Sequence, residues 1–196
     1  MSRRNIFEKI PKKPDFDREI QKIYGLMLQP HFGMYTIEKD LNQCFLQWPH
    51  RATAMNFQEL MISLDIPISN RGMKAATEDQ FLDFLEIIVN LISFRDKTPA
   101  PSMLYVDLSE EYKQLLCQID ACLSSLNYRY STLSDGRVIL IPVEVEVELQ
   151  VLTEDFPDIS DLILEYRGRK LSGDVEKKRH ILGAIGRYIE PLLEDK

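Results

Sequence analysis

The chain has 196 residues, 44% of them hydrophobic and 28% charged, which is typical of a globular protein that needs no disulfide or metal to fold. Its net charge of −7 argues against a polyanion as the main partner, so nucleic acid is not favoured. The sequence contains no signal-peptide pattern and no run of about 18 apolar residues. We therefore expect no membrane association and a cytoplasmic location.

The first 15 residues are predicted to form a flexible basic arm. Pro11 and Pro14 prevent a continuous helix there. Such an arm either contacts nucleic acid or an acidic partner, or is a solvated terminus, and we favour the solvated terminus. The basic residues of the arm are Arg3, Arg4, Lys9, Lys12 and Lys13.

Residues 16–97 are predicted to form a helical N-terminal part. Apolar side chains recur at three- and four-residue steps over residues 17–28 and 56–64, which predicts an amphipathic helix in each segment. Between these helices, the β-prone run at residues 34–37 is interpreted as a short extended piece.

The strongest helix signal covers residues 78–94. Thr77 followed by Gln80 has the spacing of a capping box, in which each side chain bonds the other residue's backbone. Apolar residues recur on more than one side of this segment, so we expect a central helix that is contacted from several directions.

Residues 102–196 are predicted to form a third part, either separate or merged with residues 16–97 into one compact domain. Its first helix spans residues 109–126, with Ser109 as the cap. Asp135 and Gly136 lie between β-prone runs, which predicts a β-hairpin near residues 128–141 because glycine tolerates the positive φ of the turn.

The chain ends in a predicted helical pair, at residues 159–171 and from about 175 to 193. Residues 143–148 alternate valine and glutamate, which fits a strand with one acidic face, although their position after Pro142 slightly favours a helix. The fold class is therefore α+β and mainly helical: a helical layer around residues 78–94, one β-hairpin and a C-terminal helical pair.

The sequence contains no recognisable catalytic, cofactor-binding or metal-binding constellation. Because the number of cysteines is odd, we expect reduced and mostly buried thiols at Cys44, Cys117 and Cys122. Cys44 and His50 have the spacing of one pair of metal ligands, but no second pair accompanies them. We therefore expect no metal, no cofactor and no catalytic residue.

Two charged segments are candidates for nucleic-acid-acting sites. Glu144, Glu146 and Glu148 would hold Mg²⁺ if they formed one strand face, but no lysine lies close in sequence, so a solvated acidic face is favoured. A basic segment near the end is the best candidate for phosphate contact, although acidic residues are interleaved with it. It contains Arg167, Arg169, Lys170, Lys177, Lys178, Arg179 and Arg187.

The C-terminal half resembles the front segment of bacterial abortive-infection (AbiJ-like) phage-resistance proteins. The resemblance rests on turn and packing signals such as residues 126–130, 135–139, 142–146, 171–174 and 177–182. In that family this segment precedes a helical ribonuclease-like domain. The resemblance implies a recognition, autoinhibition or assembly module, and no catalytic residue is carried over from it.

Together these observations predict a non-enzymatic, cytoplasmic interaction or regulatory module in phage defence, with a protein as its partner. The alternatives are a nucleic-acid-acting enzyme, such as a metal-dependent nuclease or a nuclease-associated module, and a structural subunit of a homo-oligomer. The candidate partner-binding residues lie around the hairpin and the basic turn: Tyr128, Tyr130, Arg137, Tyr166, Arg169, Lys177, Lys178 and Arg179.

Overall fold

A computed structural model describes residues 14–31, 35–68, 76–98, 107–145, 159–167 and 175–194. The chain divides into two compact units, Met1–Leu126 and Asn127–Lys196. Several sequence predictions lie wholly or partly outside the described residues. They are the basic arm up to residue 13, Met34 at the start of the predicted extended piece, and residues 99–101, 146–148 and 168–171, which include Glu146, Glu148, Arg169 and Lys170.

The described part of the first unit is helical. Its helices are α1 (Phe16–Met27), α2 (Ile37–Phe45), α3 (Phe57–Ser63), α4 (Glu78–Lys97) and α5 (Ser109–Ser125). The second unit contains an antiparallel hairpin of β1 (Tyr128–Thr132) and β2 (Val138–Pro142), a 3-10 turn at Val143–Val145, and helices α6 (Ser160–Arg167) and α7 (Val175–Glu194). The prediction of a mainly helical α+β protein with one hairpin is confirmed.

Four of the helices begin at a side chain that accepts a backbone N–H bond. Asp15, Thr36 and Asn56 do this for α1, α2 and α3, at 2.9 to 3.2 Å. At α4, Thr77 and Gln80 form the predicted capping box, with bonds of 3.0 and 3.2 Å in the two directions. Each cap satisfies N–H groups that the first helical turn leaves without a partner.

Two details of the first unit differ from the sequence predictions. The extended piece predicted at residues 34–37 is wrong at Ile37, where α2 begins, because the Thr36 side chain caps a helix there. Ser109 is the first residue of α5 rather than its cap. The Asp107 carboxylate accepts the Ser109 N–H at 3.0 Å instead, so an acidic side chain before the helix supplies the missing acceptor.

Helix α4 lies at the centre of the first unit, as its apolar pattern predicts. It packs against α1 and α2, and its Phe81, Phe84 and Leu85 are completely buried. The Phe81 ring stacks on Phe16 at 5.3 Å between centroids, and the Phe84 ring meets Phe57 at 6.4 Å. The burial of α4 therefore joins elements that are distant in sequence.

The second unit is built on the predicted hairpin. Tyr130 pairs with Leu140 in its register, and Gly136 takes a φ of 84° in the connecting turn, which confirms the Asp-Gly prediction. Strand alternation places Ile139 and Ile141 on one face of β2. That face packs in a small core with Ile159 and Ile163, against which Ile185 and Tyr188 of α7 also pack.

Candidate functional site

The hairpin turn is held to α6 by two carboxylates. The Ser134 backbone N–H donates to both oxygens of Asp161, at 3.0 and 3.2 Å, and its hydroxyl also bonds that carboxylate. The Arg137 guanidinium donates to Glu165 at 2.6 Å and to Asp135 at 2.6 Å. Two residues of α6, one helical turn apart, therefore fix both ends of the turn.

These bonds also fix the position of the Arg137 charge. Hydrogen bonds to Asp135 and, to a smaller extent, to Glu165 raise the pKa of Arg137 above its usual value, so the side chain stays a cation. The guanidinium remains partly accessible, with 42% of the side chain exposed. Ion pairs this exposed add little to stability, but they restrict the orientation of the long side chain.

The aromatic candidates lie on β1 and α6. Tyr130 is 42% exposed, whereas Tyr128 and Tyr166 are partly buried. Tyr128 and Tyr130 lie on the same face of β1 because strand side chains alternate. The Lys178 ammonium lies over the Tyr166 ring, 5.3 Å from its centroid, and this cation–π contact connects α7 to α6. Tyr128 and Tyr130 lie on the hairpin face opposite to the Ile139 and Ile141 face that packs with α6, whereas Arg137 and Lys178 contact α6. We call the five residues Tyr128, Tyr130, Arg137, Tyr166 and Lys178, which lie on two sides of the hairpin, the hairpin surface.

The basic turn of α7 does not form one patch. Successive helical residues point about 100° apart, so Lys177, Lys178 and Arg179 face three directions. Lys178 lies over Tyr166, whereas the exposed Arg179 pairs with Glu176 at 2.7 Å. The structure therefore separates side chains that are adjacent in sequence.

A second polar cluster, which sequence reasoning missed, centres on Asp40 of α2. One Asp40 oxygen accepts from the Tyr35 hydroxyl at 3.3 Å. The other accepts from the Tyr112 hydroxyl at 2.8 Å and from the Arg95 guanidinium at 3.0 Å. The cluster joins α2, α4 and α5, and we call these four residues the Asp40 cluster.

The Asp40 cluster has a structural role, because its bonds hold three helices together. Burial is the main cause, and the Asp40 charge the second, of a pKa of Tyr112 well above its usual value. The Tyr112 hydroxyl therefore keeps its proton and remains a hydrogen-bond donor. The Arg95 guanidinium lies 5.0 Å above the Tyr112 ring, which adds a cation–π contact. The sequence does contain a signal for this cluster, namely polar residues within apolar helix faces. It does not show which of these polar residues contact each other, because they are far apart in the chain.

The cysteines differ in burial, and two of the histidines have contacts of other kinds. All three cysteines are free; Cys44 and Cys122 are buried, and burial raises the pKa of each to about 11. Cys117 is exposed on the solvent side of α5, so two of the three thiols that were expected to be mostly buried are buried. His31 pairs with Glu111 at 2.5 Å, and His50 contacts the edge of Trp48.

This difference in burial predicts selective thiol labelling. At pH 8 we expect a thiol-reactive reagent to modify one thiol per chain rapidly, because Cys117 alone among the three is exposed. The other two should react only after denaturant is added. The Cys117→Ser variant should lose the fast phase and Cys122→Ser should keep it; two fast thiols in the native protein would contradict the burial described.

Among the described residues, no group of three or more His, Cys, Asp or Glu side chains gathers in a way that would hold a metal ion. Glu144 is exposed in the 3-10 turn, and its predicted neighbours Glu146 and Glu148 lie outside the described residues. Within the same residues, no helix is both long and apolar enough to span a membrane.

The comparisons with known proteins add no family assignment. No family model matches the chain, and neither a curated protein nor a solved structure shows a match to it.

Proposed function

We propose that this chain is a non-enzymatic interaction module that binds a partner protein through the hairpin surface. The observation that carries the proposal is that one small unit contains both an exposed tyrosine, Tyr130, and an arginine, Arg137, held by two carboxylates. Tyrosine and arginine are the side chains that most often dominate protein interfaces. Side chains that are already ordered lose less conformational entropy when a partner binds.

Charge supports a recognition role for this surface. Arg137 and Lys178 are each held at a defined position, one by carboxylates and the other by an aromatic ring. In a chain with a net charge of −7, two cations at defined positions would set the orientation of an acidic or neutral protein partner. The same net charge opposes a polyanion.

The biological setting we propose is bacterial phage defence in the cytoplasm. The support is the resemblance of the C-terminal half to the front segment of AbiJ-like abortive-infection proteins, which precedes a ribonuclease-like domain in that family. In this proposal the chain recognises, restrains or assembles an effector and performs no chemistry of its own.

The proposal predicts that Tyr130→Ala weakens partner binding. Truncating an interface tyrosine typically costs about 2 kcal/mol or more, so we expect binding to fall at least about 30-fold. The measurement is quantitative affinity capture from the native host with the tagged full chain, followed by titration of the captured protein. The matched control is Leu46→Ala in the first unit, since Leu46 is 52% exposed and lies outside the hairpin surface.

Two results would reject the proposal. One is a captured protein that binds Tyr130→Ala and Lys178→Glu as well as the unaltered chain. The other is nuclease turnover with Mg²⁺ or Mn²⁺ that both Glu146→Ala and Lys178→Ala abolish, because that would make the chain an enzyme. For the defence setting, plaque counts should rise with Tyr130→Ala and not with Leu46→Ala.

A further inference from the structure

Helix α7 has an outer face that no core residue of the described part of the chain covers. Its inner stripe is Ile181, which is buried, and Ile185 and Tyr188, which pack against the core of β2 and α6. At about 100° per residue, the face opposite this stripe contains Arg179, Gly183, Gly186 and Glu190. Arg179, Gly183 and Glu190 are exposed, and Gly186 is partly exposed.

Exposed apolar side chains flank this outer face. Val175 is 63% exposed and Leu182 is 50% exposed, and both lie on the same side of Gly186. The outer face of α7, meaning Arg179, Gly183, Gly186 and Glu190, thus carries a charge at each end and is flanked on one side by Val175 and Leu182.

The charges on this face are complementary to the same face of a second copy. In an antiparallel pair with the two-fold axis between Gly183 and Gly186, each Gly183 faces the partner's Gly186. Arg179 lies one turn before Gly183, and Glu190 lies one turn after Gly186, so each arginine faces a glutamate across the axis. The symmetry produces both pairs at once, as an isologous interface requires.

The two glycines are consistent with this pairing. Glycine within a helix lowers its stability relative to alanine, and a Cβ at Gly183 or Gly186 would meet nothing within 4 Å in the described structure. Packing among the described residues therefore does not account for them. Small residues at the centre of a helix pair allow the two backbones to approach closely.

We propose that a second copy of this chain docks antiparallel on the outer face of α7 and forms a two-fold dimer. A second copy is favoured over an unrelated protein because the charges on this face are complementary to the same face of another copy. A single helix pair buries less area than a standard interface, so the dimer is weak and forms in the micromolar range. This pairing involves a different face from the hairpin surface and does not depend on partner binding there.

Charge reversal tests the pairing directly. Analytical ultracentrifugation of the full chain from about 2 to 300 μM should show a concentration-dependent monomer–dimer equilibrium. Arg179→Glu and Glu190→Arg should each weaken the dimer about tenfold or more, because each places two like-charged pairs across the axis. The double variant, which restores opposite charges, should recover the dimer to within about threefold.

Two further variants separate docking from folding. Gly186→Ala should raise the stability of the monomer, since alanine favours helix, and should weaken the dimer by crowding the axis. Lys113→Glu is the matched charge-reversal control, because Lys113 is 71% exposed on α5, and it should leave the equilibrium unchanged. A monomer at every concentration, or a dimer indifferent to reversal at Arg179 and Glu190, would overturn the proposal.

Discussion

Replacing Asp40 with alanine is expected to lower the free energy of unfolding of the first unit by about 3 kcal/mol. The substitution removes the acceptor for three donors on different elements: the Tyr35 and Tyr112 hydroxyls and the Arg95 guanidinium. The Tyr112 residue is only 8% exposed, so its hydroxyl would be left without this partner in a buried position. Unsatisfied buried donors cost about 1–3 kcal/mol each.

The exposure of each partner sets the size of this effect. The Asp40 side chain is 13% exposed and that of Arg95 is 32% exposed, so water compensates part of the lost charge interaction at the arginine. This places the expected loss at the lower end of the range of about 3–5 kcal/mol for breaking a buried pair. Tyr112→Phe, which removes one hydroxyl and keeps the ring under Arg95, should cost about 1 kcal/mol.

Asp96→Ala is the matched control for Asp40→Ala. Asp96 also accepts from Arg95, at 3.0 Å, but its side chain is 59% exposed. Its loss should therefore change stability by about 0.5 kcal/mol or less. Urea unfolding followed by tryptophan fluorescence measures both variants, because the only tryptophan of the chain, Trp48, is buried in the first unit. Equal effects of the two substitutions would show that the Asp40 cluster does not hold the helices together.

The Phe84→Ala variant should lose about 4 kcal/mol of stability, the largest effect expected of any single substitution considered. Phe84 is fully buried in α4, and its ring lies 6.4 Å from that of Phe57 in α3. Truncation removes apolar surface that folding buries, and it leaves a cavity between the helices that cannot collapse completely. Phe84→Leu fills most of that volume and should cost clearly less.

Phe94→Ala provides the control on the same helix. Phe94 lies near the end of α4 and is only partly buried, so its truncation opens no closed cavity and should cost less than half as much. Urea unfolding with the Trp48 signal again reports on the first unit. If Phe84→Ala were as mild as Phe94→Ala, α4 would not be the packing centre of this unit.

Local chemistry allowed several elements to be predicted from the sequence. The capping box of Thr77 and Gln80, the apolar periodicity of α4 and the Asp135–Gly136 turn each depend on neighbours within about four residues. Helix α2 had a similar signal, with Ile37, Leu41 and Cys44 buried on one face. The sequence nevertheless predicts an extended piece there, because residues 34–37 are β-prone and obscure the helix start at Thr36.

The candidate site was predictable only in part. The sequence pointed to the hairpin and to the basic turn, but it did not show that Arg137 reaches Glu165 on α6 or that Lys178 lies over Tyr166. It also grouped Lys177 to Arg179 as one patch, although helix geometry points them in different directions. Which charges meet depends on how helices pack, and packing joins residues far apart in the chain.

The sequence by itself determined the hairpin and most of the helix positions, with α2 as the exception, because caps, turns and apolar periodicity are short-range effects. Only the tertiary structure decided that Asp40 joins Tyr35, Arg95 and Tyr112, and that the outer face of α7 remains exposed. The physical reason is that burial and charge pairing are properties of the assembled core, in which Asp40 and Tyr112 meet across 72 positions of chain. No local pattern records such a contact.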